Sequence, residues 1–370
     1  MKSRKQRTVL LALSGGVDSA VSALLLKKQG YNVIGLFMQT FREENKAKNK
    51  CKSNSAMTDK KMAEIIAKKL KIKFISRDYK KEYYKEVILP MIKDYKKGLT
   101  PNPDIECNKL IKFPYLLREA ENLGADYIAT GHYAKILKTK SGFHLLQGKD
   151  KTKDQSYFLY ELNQKILSRL IFPIGNLTKK QIRRIAKRND FPNWNKPGTT
   201  GICFLGKTNG IKPFLETKIK QKIGKIFSPE NNFLGTHEGS VYYTIGQRIE
   251  NHLGLKIEKP KEHAQDRYYI VEKRKDNLII AGPKGHPSLL KREIIIHNLH
   301  QINPKEKIPD SRLKARIRHL GQFHTGKLRK EGDKYAFIFQ KQIEAIAAGQ
   351  SIVLYNKNKV IGGGEMRNKP

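Results

Sequence analysis

The sequence lacks the features of a membrane-embedded, secreted or disulfide-rich protein. Its 370 residues include only three cysteines, Cys51, Cys107 and Cys203, whose wide spacing suits neither a disulfide framework nor a metal-ligand motif. No apolar run is long enough to span a membrane, and the basic N-terminus leads into an apolar segment too short for a signal peptide. We therefore expect no membrane association and a reducing, cytoplasmic location, where any disulfide would be transient and catalytic.

Acidic residues are scarce: 34 Asp and Glu stand against 74 Lys and Arg, which gives a formal net charge of +40. Such an excess suggests a polyanionic partner, above all nucleic acid. Lys far outnumbers Arg, however, and Asn and Ile are abundant, which is also the signature of a genome biased toward certain codons. The charge supports a nucleic-acid partner without establishing one.

Short apolar segments alternate with amphipathic helical patterns through the first third of the chain. This alternation indicates an α/β fold with a doubly wound parallel sheet, whose ligands bind at the carboxyl ends of the strands. The predicted strands are Val9–Leu13, Tyr31–Met38, Lys71–Ile75 and Asp126–Thr130. The predicted helices run from the loop after Leu13 to Gly30, then over Thr58–Leu70 (capped by Thr58, with Ile65 and Ile66 inward), Tyr83–Tyr95 and Ile111–Asn122, with an exposed loop at 42–54.

The later part of the chain has a different residue pattern. Hairpin-like segments follow Ile136, and Leu177–Arg188 reads as an amphipathic basic helix. Beyond Gly206, short β-branched or aromatic segments lie between Gly, Pro and Asn, which is typical of β domains. Strands are expected at Val241–Ile245, Tyr268–Glu272, Leu278–Ala281 and Glu293–His297. We predict an α/β domain at 1–208, a small central domain at 209–284 and a β-barrel-like domain at 285–370.

A glycine-containing loop joins the first predicted strand to the first predicted helix. In Ser14-Gly15-Gly16-Val17-Asp18-Ser19, the glycines allow a sharp turn, and the helix N-terminus directs free N–H groups and a positive dipole end at the loop. The loop lacks the Lys that follows the last glycine of the common phosphate loop, and it lacks the three glycines of the dinucleotide fingerprint. A tight turn without a ligand is the alternative. The string resembles the pyrophosphate-binding loop of the PP-loop ATP pyrophosphatases, which cleave ATP between the α and β phosphates and pass AMP to a substrate oxygen.

A second informative stretch runs from Thr100 to Lys109. Two prolines stiffen the backbone around Asn102, and Asp104 and Cys107 are spaced so that one helical turn brings them onto one face. A carboxylate beside a thiol can perform proton transfer and nucleophilic attack. The alternative is a structural loop in which Asp104 caps a helix and Cys107 is merely buried.

A third stretch, Gly198–Gly206, carries Cys203 on a short apolar segment flanked by glycines. The segment could be a strand end or a mobile loop. A single cysteine in such a place is often a small core residue, and that alternative stays open.

Five motifs occur in an order that resembles the bacterial tRNA-specific 2-thiouridylase family. They are Ser-Gly-Gly-Val-Asp-Ser, Thr-Pro-Asn-Pro-Asp-Ile-Glu-Cys-Asn, Ala-Thr-Gly-His-Tyr (Ala129–Tyr133), Lys-Asp-Gln-Ser-Tyr-Phe-Leu (Lys153–Leu159) and Gly-Ile-Cys-Phe. The resemblance continues through Thr244–Arg248 to Gly362–Gly364.

The resemblance implies a role for particular residues. Cys107 would be the catalytic nucleophile, Cys203 the carrier of a persulfide, and Asp104 the general acid/base. ATP, with Mg²⁺, would be bound by Ala12, Leu13, Ser14, Gly15, Gly16, Val17, Asp18, Ser19, Met38 and Gly131. The target base would face Asn102, Pro103 and Asp104, and tRNA would contact Lys153, Asp154, Gln155, Arg316 and Ile317 as well as the central and C-terminal domains. A sulfur donor protein, either a cysteine desulfurase or a relay protein, is implied as a partner.

The chain departs from the family pattern at three places. Ala12 stands where relatives usually have Gly, a mild change. Gly198-Thr199 replaces a usual Asp-Ser, which puts in doubt any role for that acidic side chain. Cys51 lies in a loop where relatives often carry a cysteine, and we assign it no chemistry.

The implied chemistry fits these residue types. The C2 oxygen of uridine is a poor leaving group until ATP converts it to an adenylate, and a persulfide is a softer nucleophile than water. A single-stranded wobble uridine can be splayed into a pocket. Two alternatives remain: another PP-loop enzyme, such as an amide-forming synthetase or tRNA lysidine synthetase, and a non-catalytic RNA-binding protein with a degenerate loop.

Overall fold

The computed structural model describes residues 6–41, 55–198, 203–205, 210–258, 265–344 and 346–367, with side chains from residue 58 onward in the second helix and none at 203. The predicted loop at 42–54, with Cys51, lies outside the described residues, as does Thr199. The described residues form three sheets. None of their helices is both long and apolar enough to cross a membrane.

The strands of the described residues are numbered β1 to β18 in chain order. They are β1 Thr8–Ala12, β2 Asn32–Gln39, β3 Lys73–Asp78, β4 Tyr127–Ala129, β5 Ala134–Thr139, β6 Gly142–Gln147, β7 Leu170–Ile171, β8 Gly224–Phe227, β9 Phe233–His237, β10 Leu255–Ile257, β11 Tyr268–Arg274, β12 Leu278–Pro283, β13 Leu290–Gln301, β14 Leu313–Arg316, β15 His324–Glu331, β16 Lys334–Glu344, β17 Ser351–Asn356 and β18 Lys359–Arg367.

The helices are numbered in the same way. They are α1 Val17–Lys28, α2 Ser55–Leu70, α3 Lys80–Tyr83, α4 Leu89–Lys96, α5 Pro103–Glu106, α6 Phe113–Asn122, α7 Gln164–Arg169, α8 Lys179–Arg188 and α9 Lys212–Glu216. A π-helical segment joins α3 to α4 (Tyr84–Ile88) and another joins α5 to α6 (Cys107–Lys112).

Several helix predictions are corrected by these bounds. The helix expected at Thr58 begins at Ser55, so Thr58 is not its cap, and Ile65 is 50% exposed because it lies opposite the buried stripe of Ala63, Ile66 and Leu70. Helical structure also begins earlier than predicted before Tyr83 and Ile111. In both cases a proline follows the π-helical segment, where its missing N–H is tolerated at the start of a new α-helical stretch.

The first sheet is the predicted doubly wound sheet. Its strands are all parallel in the order β3-β2-β1-β4-β7, with helices packed against them. The central strand β1 is apolar because it is covered on both faces, and Val9, Leu10 and Leu11 are fully buried. The strand order reverses direction beside β1, so the loop after β1 lies at the topological switch point, where such sheets bind ligands.

The second sheet has the order β10-β9-β8-β12-β11 and is antiparallel except for the β8–β12 pair. The predicted strands at Tyr268–Glu272 and Leu278–Ala281 are present. The strand predicted at Val241–Ile245 is wrong, because Ser240–Tyr242 form a 3₁₀ turn. There Tyr242 and Tyr243 are buried and their hydroxyls bond backbone carbonyls, so they anchor a loop instead of alternating across a sheet.

The third sheet is a six-stranded antiparallel barrel with an added hairpin. The barrel order is β13-β16-β15-β14-β17-β18, and the pairing of β13 with β18 closes it. The hairpin predicted after Ile136 is β5–β6, and β6 pairs with β18. Apolar residues of the barrel, including Val353 and Tyr355, share one core with Leu145 of β6 and with Leu10 of β1. The barrel is therefore joined to the parallel sheet by continuous apolar packing.

Candidate active site

The loop between β1 and α1 is held in the form expected of an anion site. Gly15 has φ +75°, and a Cβ there would collide with the carbonyl oxygen of Asp59, so both conformation and space favour glycine. The Ser19 hydroxyl donates to Gly16 O (3.0 Å) and accepts from Ser14 N (3.2 Å). No side chain caps the N-terminus of α1. The first N–H groups of the helix are thus available to a bound anion.

Two other predicted nucleotide residues reach the same edge of the sheet. Met38 lies near the carboxyl end of β2 and Gly131 lies just beyond β4, and both strands are parallel neighbours of β1. A Cβ on Gly131 would lie 2.9 Å from the backbone nitrogen of Ser19, so only glycine permits this approach. The structure thus brings Ala12 to Ser19, Met38 and Gly131 together, and their binding of ATP stays a prediction.

Asp18 is the focus of a polar cluster at this loop. The Tyr133 hydroxyl donates to Asp18 Oδ1 (2.6 Å), and the Lys179 ammonium lies 2.7 Å from each carboxylate oxygen. Burial and the Asp18 carboxylate raise the pKa of Tyr133 well above its ordinary value, so the phenol stays protonated and donates.

Sequence reasoning did not assign Tyr133 or Lys179 a place at the loop. Lys179 is 161 residues from Asp18 in the chain, and nothing in the local pattern of the basic helix distinguishes it from its neighbours. Asn193 is also at the loop, where its Nδ2 donates to Gly15 O (3.0 Å).

A side-chain cap fixes the proline-containing segment at the start of its helix. The Asn102 side chain accepts from the backbone nitrogens of Asp104 (3.2 Å) and Ile105 (3.4 Å), so Asn102 caps α5, and the alternative in which Asp104 is the cap is wrong. Pro103 is the first helical residue, where its ring fits best.

Thr100, two residues before Asn102, forms hydrogen bonds with the barrel and with the domain that contains the second sheet. Its backbone N–H donates to Ala348 O (2.9 Å), its carbonyl accepts from Gln350 Nε2 (3.0 Å), and its hydroxyl lies 3.4 Å from the Thr244 hydroxyl. Hydrogen bonds from two other domains therefore anchor the segment with Asn102 and Asp104.

Cys107 begins the π-helical segment between α5 and α6 and is 5% exposed. Segments of this kind are often found at functional sites. Asp104, one turn earlier, is partly exposed. Burial raises the pKa of the neighbouring Glu106 carboxyl.

The segment of the second cysteine packs near the first. Cys203 begins a 3₁₀ turn, Cys203–Leu205, and its side chain lies outside what the structure describes. The next two residues, Phe204 and Leu205, belong to the same buried apolar cluster as Cys107, together with Tyr83 and Phe214. The fold thus brings the segment that carries Cys203 to the apolar cluster of Cys107, which lies 96 positions earlier in the sequence.

The residues predicted to contact tRNA divide into exposed and buried sets. Lys153 is exposed and Gln155 is partly exposed. Asp154, Arg316 and Ile317 are 0%, 6% and 4% exposed. In this structure these three side chains are not placed to touch RNA, and their predicted contact stays a prediction that the geometry does not favour.

The buried pair has a structural role instead. Arg316 donates to Asp154 Oδ2 (2.9 Å), and Gln147, Gly148 and Ser156 also donate to the same carboxylate. The Arg316 guanidinium lies 4.1 Å from the Phe323 ring centroid. Because Asp154 lies between β6 and α7 and Arg316 lies in β14, this ion pair joins the α/β domain to the barrel.

The described residues contain no cluster of three or more His, Cys, Asp or Glu side chains suited to hold a metal. A magnesium ion that arrives with a triphosphate needs only one or two carboxylates, since phosphate oxygens and water supply the other ligands. Asp18, at the mouth of the loop, offers such a carboxylate.

Three family models match successive parts of the chain. Residues 7–207 match the family described as "tRNA methyl transferase HUP domain", residues 212–282 a PRC-barrel domain of the same series, and residues 291–366 an aminomethyltransferase β-barrel domain.

Curated relatives match over nearly their full length. The tRNA-specific 2-thiouridylase MnmA of Shouchella clausii is 37% identical over 98% of this chain and 97% of its own length. The protein of the same name from Buchnera aphidicola is 40% identical over 99% and 98%. A solved 4-thiouridine synthetase–RNA complex with bound ATP is 17% identical, covers 58% of this chain and 50% of that chain, and has a TM-score of 0.37, too low to add to the assignment.

Proposed function

The chain belongs to the tRNA-specific 2-thiouridylase family, and on that premise we propose that it replaces the C2 oxygen of a tRNA wobble uridine with sulfur, using ATP. The observation that carries the proposal is the pairing of two features. A glycine loop built for an anion lies at the switch point of the sheet, and two cysteine-bearing segments pack into one apolar cluster.

ATP would bind with its phosphates at the N-terminus of α1. The first N–H groups of α1 and the helix dipole favour the negative charge of the phosphates. Met38 and Gly131 would line the nucleotide side of the site. Mg²⁺ would enter with ATP and take Asp18 as its protein carboxylate, neutralising charge on the leaving pyrophosphate.

The first chemical step is adenylation of the base. The uridine O2 attacks the α phosphorus, the bond from that phosphorus to the bridging oxygen breaks, and pyrophosphate leaves. Asn102 and Pro103 would hold the base, and Asp104 would accept the N3 proton of the uracil ring. The rigid anchoring of this segment supports that role, since small misplacements are costly in catalysis.

The second step transfers sulfur. The terminal sulfur of a Cys203 persulfide attacks C2, and AMP leaves. The Cys107 thiolate then attacks Cys203 Sγ, so that thiouridine is released as a Cys107–Cys203 disulfide forms, and a reductant later restores both thiols. A Cys107–Cys203 disulfide needs Cα atoms within about 7 Å, so the segment of Cys203 must be able to close on Cys107.

The partners are tRNA and a source of persulfide sulfur. Lys153, which is exposed on the face beside Gln155, would contact tRNA phosphates. A cysteine desulfurase or a relay protein would load Cys203.

Methyl transfer to tRNA, which the matching family description names, is the activity that competes with thiolation. Methyl transfer requires neither an ATP-type anion loop nor a second cysteine beside the first, whereas the proposed thiolation uses both. An adenylating tRNA lysidine synthetase would use the loop but not the cysteines.

Mass spectrometry of tRNA nucleosides tests the proposal. The protein is incubated with tRNA, ATP, Mg²⁺ and a persulfide source, and 2-thiouridine is expected to form together with AMP and pyrophosphate. Cys203→Ser should form none, Cys107→Ser should adenylate tRNA but not turn over, and Cys51→Ser is the matched control with normal activity. Methylated nucleosides without thiouridine, or full multiple turnover by Cys107→Ser, would overturn the proposal.

A further inference from the structure

The anion loop carries no cation of its own. The common phosphate loop places a Lys directly after its last glycine, but here Val17 and Asp18 follow Gly16. Asp18 even adds a negative charge at the place where a polyphosphate would bind. The loop therefore needs a positive charge from elsewhere in the fold if it is to hold the pyrophosphate half of ATP.

Lys179 supplies a positive charge at this place. Its ammonium lies 2.7 Å from both oxygens of Asp18, and the side chains are 15% and 29% exposed. An ammonium has three N–H donors, and Asp18 takes two, so one remains for a ligand at the mouth of the loop. The ammonium also lies 5.9 Å from the ring centroid of Tyr133, the residue whose hydroxyl donates to Asp18.

The position of Lys179 is set by its backbone. It is the first residue of α8, where Thr178 caps the helix and Gln181 completes a capping box. Its backbone N–H also donates to Asp150 Oδ2 (2.9 Å). A capped and doubly bonded helix start holds the root of this flexible side chain beside the loop.

We propose that Lys179 is a substrate-binding residue, whose ammonium binds the β and γ phosphates of ATP and stabilises the pyrophosphate that leaves in adenylation. The inference rests on the proposed function, which it deepens by naming a phosphate ligand outside the glycine loop. The third N–H donor of the Lys179 ammonium would contact the phosphate oxygens, and Mg²⁺ that arrives with the triphosphate would be held by the Asp18 carboxylate.

The ion pair alone does not account for this arrangement. A partly exposed pair contributes little to folding, and the Tyr133 hydroxyl already satisfies one Asp18 oxygen. A cation at the mouth of an anion site can stabilise the negative charge that develops on a leaving group. Such electrostatic stabilisation is among the largest contributions to catalysis.

The test is equilibrium binding, measured by calorimetry without Mg²⁺, for the ligands pyrophosphate, ATP and AMP. Lys179→Met should weaken pyrophosphate and ATP by about tenfold to a hundredfold, the usual effect of losing a charged hydrogen bond, and leave AMP unchanged. Lys179→Arg should retain most of the affinity. Lys180→Met is the matched control, since Lys180 is the next residue, is exposed and should not matter.

A double variant separates phosphate binding from neutralisation of Asp18. Asp18→Asn alone should bind pyrophosphate at least as tightly as the wild type, because a repelling charge is gone and Lys179 remains. In the Asp18→Asn background, Lys179→Met should still weaken pyrophosphate binding by about tenfold to a hundredfold. If the double variant bound pyrophosphate as tightly as Asp18→Asn alone, Lys179 would only neutralise Asp18, and the inference would be overturned.

A footprint on the unaltered protein avoids any variant that fails to fold. Pyrophosphate should protect Lys179 from acetylation while AMP does not, and Lys180 should react equally in both. Acetylation of Lys179 that ignores pyrophosphate would contradict the inference. Because these readouts require no tRNA, a protein that passes them yet makes no thiouridine would refute the proposed function alone.

Discussion

At the scale of single residues, variants of the Arg316–Asp154 ion pair can distinguish a role in folding from a role in RNA binding. Both side chains are buried, and the pair links β14 to the segment before α7. Replacing Arg316 with Met leaves a carboxylate buried without its cation, so we expect a loss of about 3 to 5 kcal/mol in the free energy of unfolding. Urea unfolding measures the loss.

Two further variants give this prediction its controls. Lys153→Met, at an exposed neighbour, should change stability by less than about 0.5 kcal/mol. Asp154→Asn combined with Arg316→Met removes both charges but keeps an amide oxygen for the backbone N–H groups of Gly148 and Ser156, so it should recover part of the loss. If Arg316→Met kept wild-type stability but bound tRNA weakly, the direct RNA contact implied by the resemblance would be the better account.

We expect His319 to make the free energy of unfolding depend on pH. Its ring lies 4.3 Å from the Phe158 ring centroid, and its Nδ1 is buried with no hydrogen-bond partner among the described residues. Burial is the main cause that lowers the pKa of His319 to about 4; Arg316 and Lys153 lower it further, and Asp154 opposes them.

Because the unfolded chain takes up this proton near pH 6.5, the stabilising effect is complete above that pH and is lost as the pH falls toward 4. Urea midpoints measured at about pH 7.5 and about pH 5 should therefore fall less in His319→Phe than in the wild type. His252→Phe is the control, since the side chain of His252 is 73% exposed. Equal pH sensitivity in all three proteins would contradict this assignment.

At the scale of elements, the π-helical segment Cys107–Lys112 determines how the start of the helix faces the site. Deleting Lys109, whose side chain is 41% exposed, should convert the segment to regular α-helix and rotate Cys107 and Asp104 by about 100° relative to α6. We expect thiolation, measured at a temperature where the deletion variant is folded, to fall at least about a hundredfold. Because Ile105 and Cys107 are buried, the rotation should also lower the melting temperature.

The substitution Lys109→Ala keeps the chain length and serves as the control. It removes the ion pair with Glu161 but not the π-helical geometry, so it should retain activity. Thiolation by the deletion variant at the wild-type rate would show that the segment has no part in positioning the cysteine.

At the scale of the whole molecule, the net charge of +40 predicts a strong effect of salt on tRNA binding. A protein that neutralises six to ten phosphates should lose about a thousandfold or more in affinity between about 50 and about 200 mM salt, since bound counterions are released. Lys153→Met should reduce the slope of log affinity against log salt by about one. A flat response in filter binding would mean that the charge reflects codon usage and not RNA binding.

What the sequence determined by itself is local. The run Val9–Leu13, the glycines after it and the apolar pattern of α1 are neighbours in the chain, so strand, loop and helix followed from spacing alone. The order of the motifs identified the family, and β-branched texture identified the later β domains. Periodicity was misleading where tertiary contacts take over, as at Tyr242, whose burial holds a turn and not a strand.

Only the tertiary structure decided which distant surfaces meet. It placed Lys179 on Asp18, packed the segment of Cys203 into the cluster of Cys107, and paired the β5–β6 hairpin with the barrel. It also buried Asp154 against Arg316, so that charges expected at an RNA surface became an internal ion pair. The physical reason is that hydrophobic periodicity and turn chemistry act over a few residues, whereas these contacts are determined by how whole layers pack.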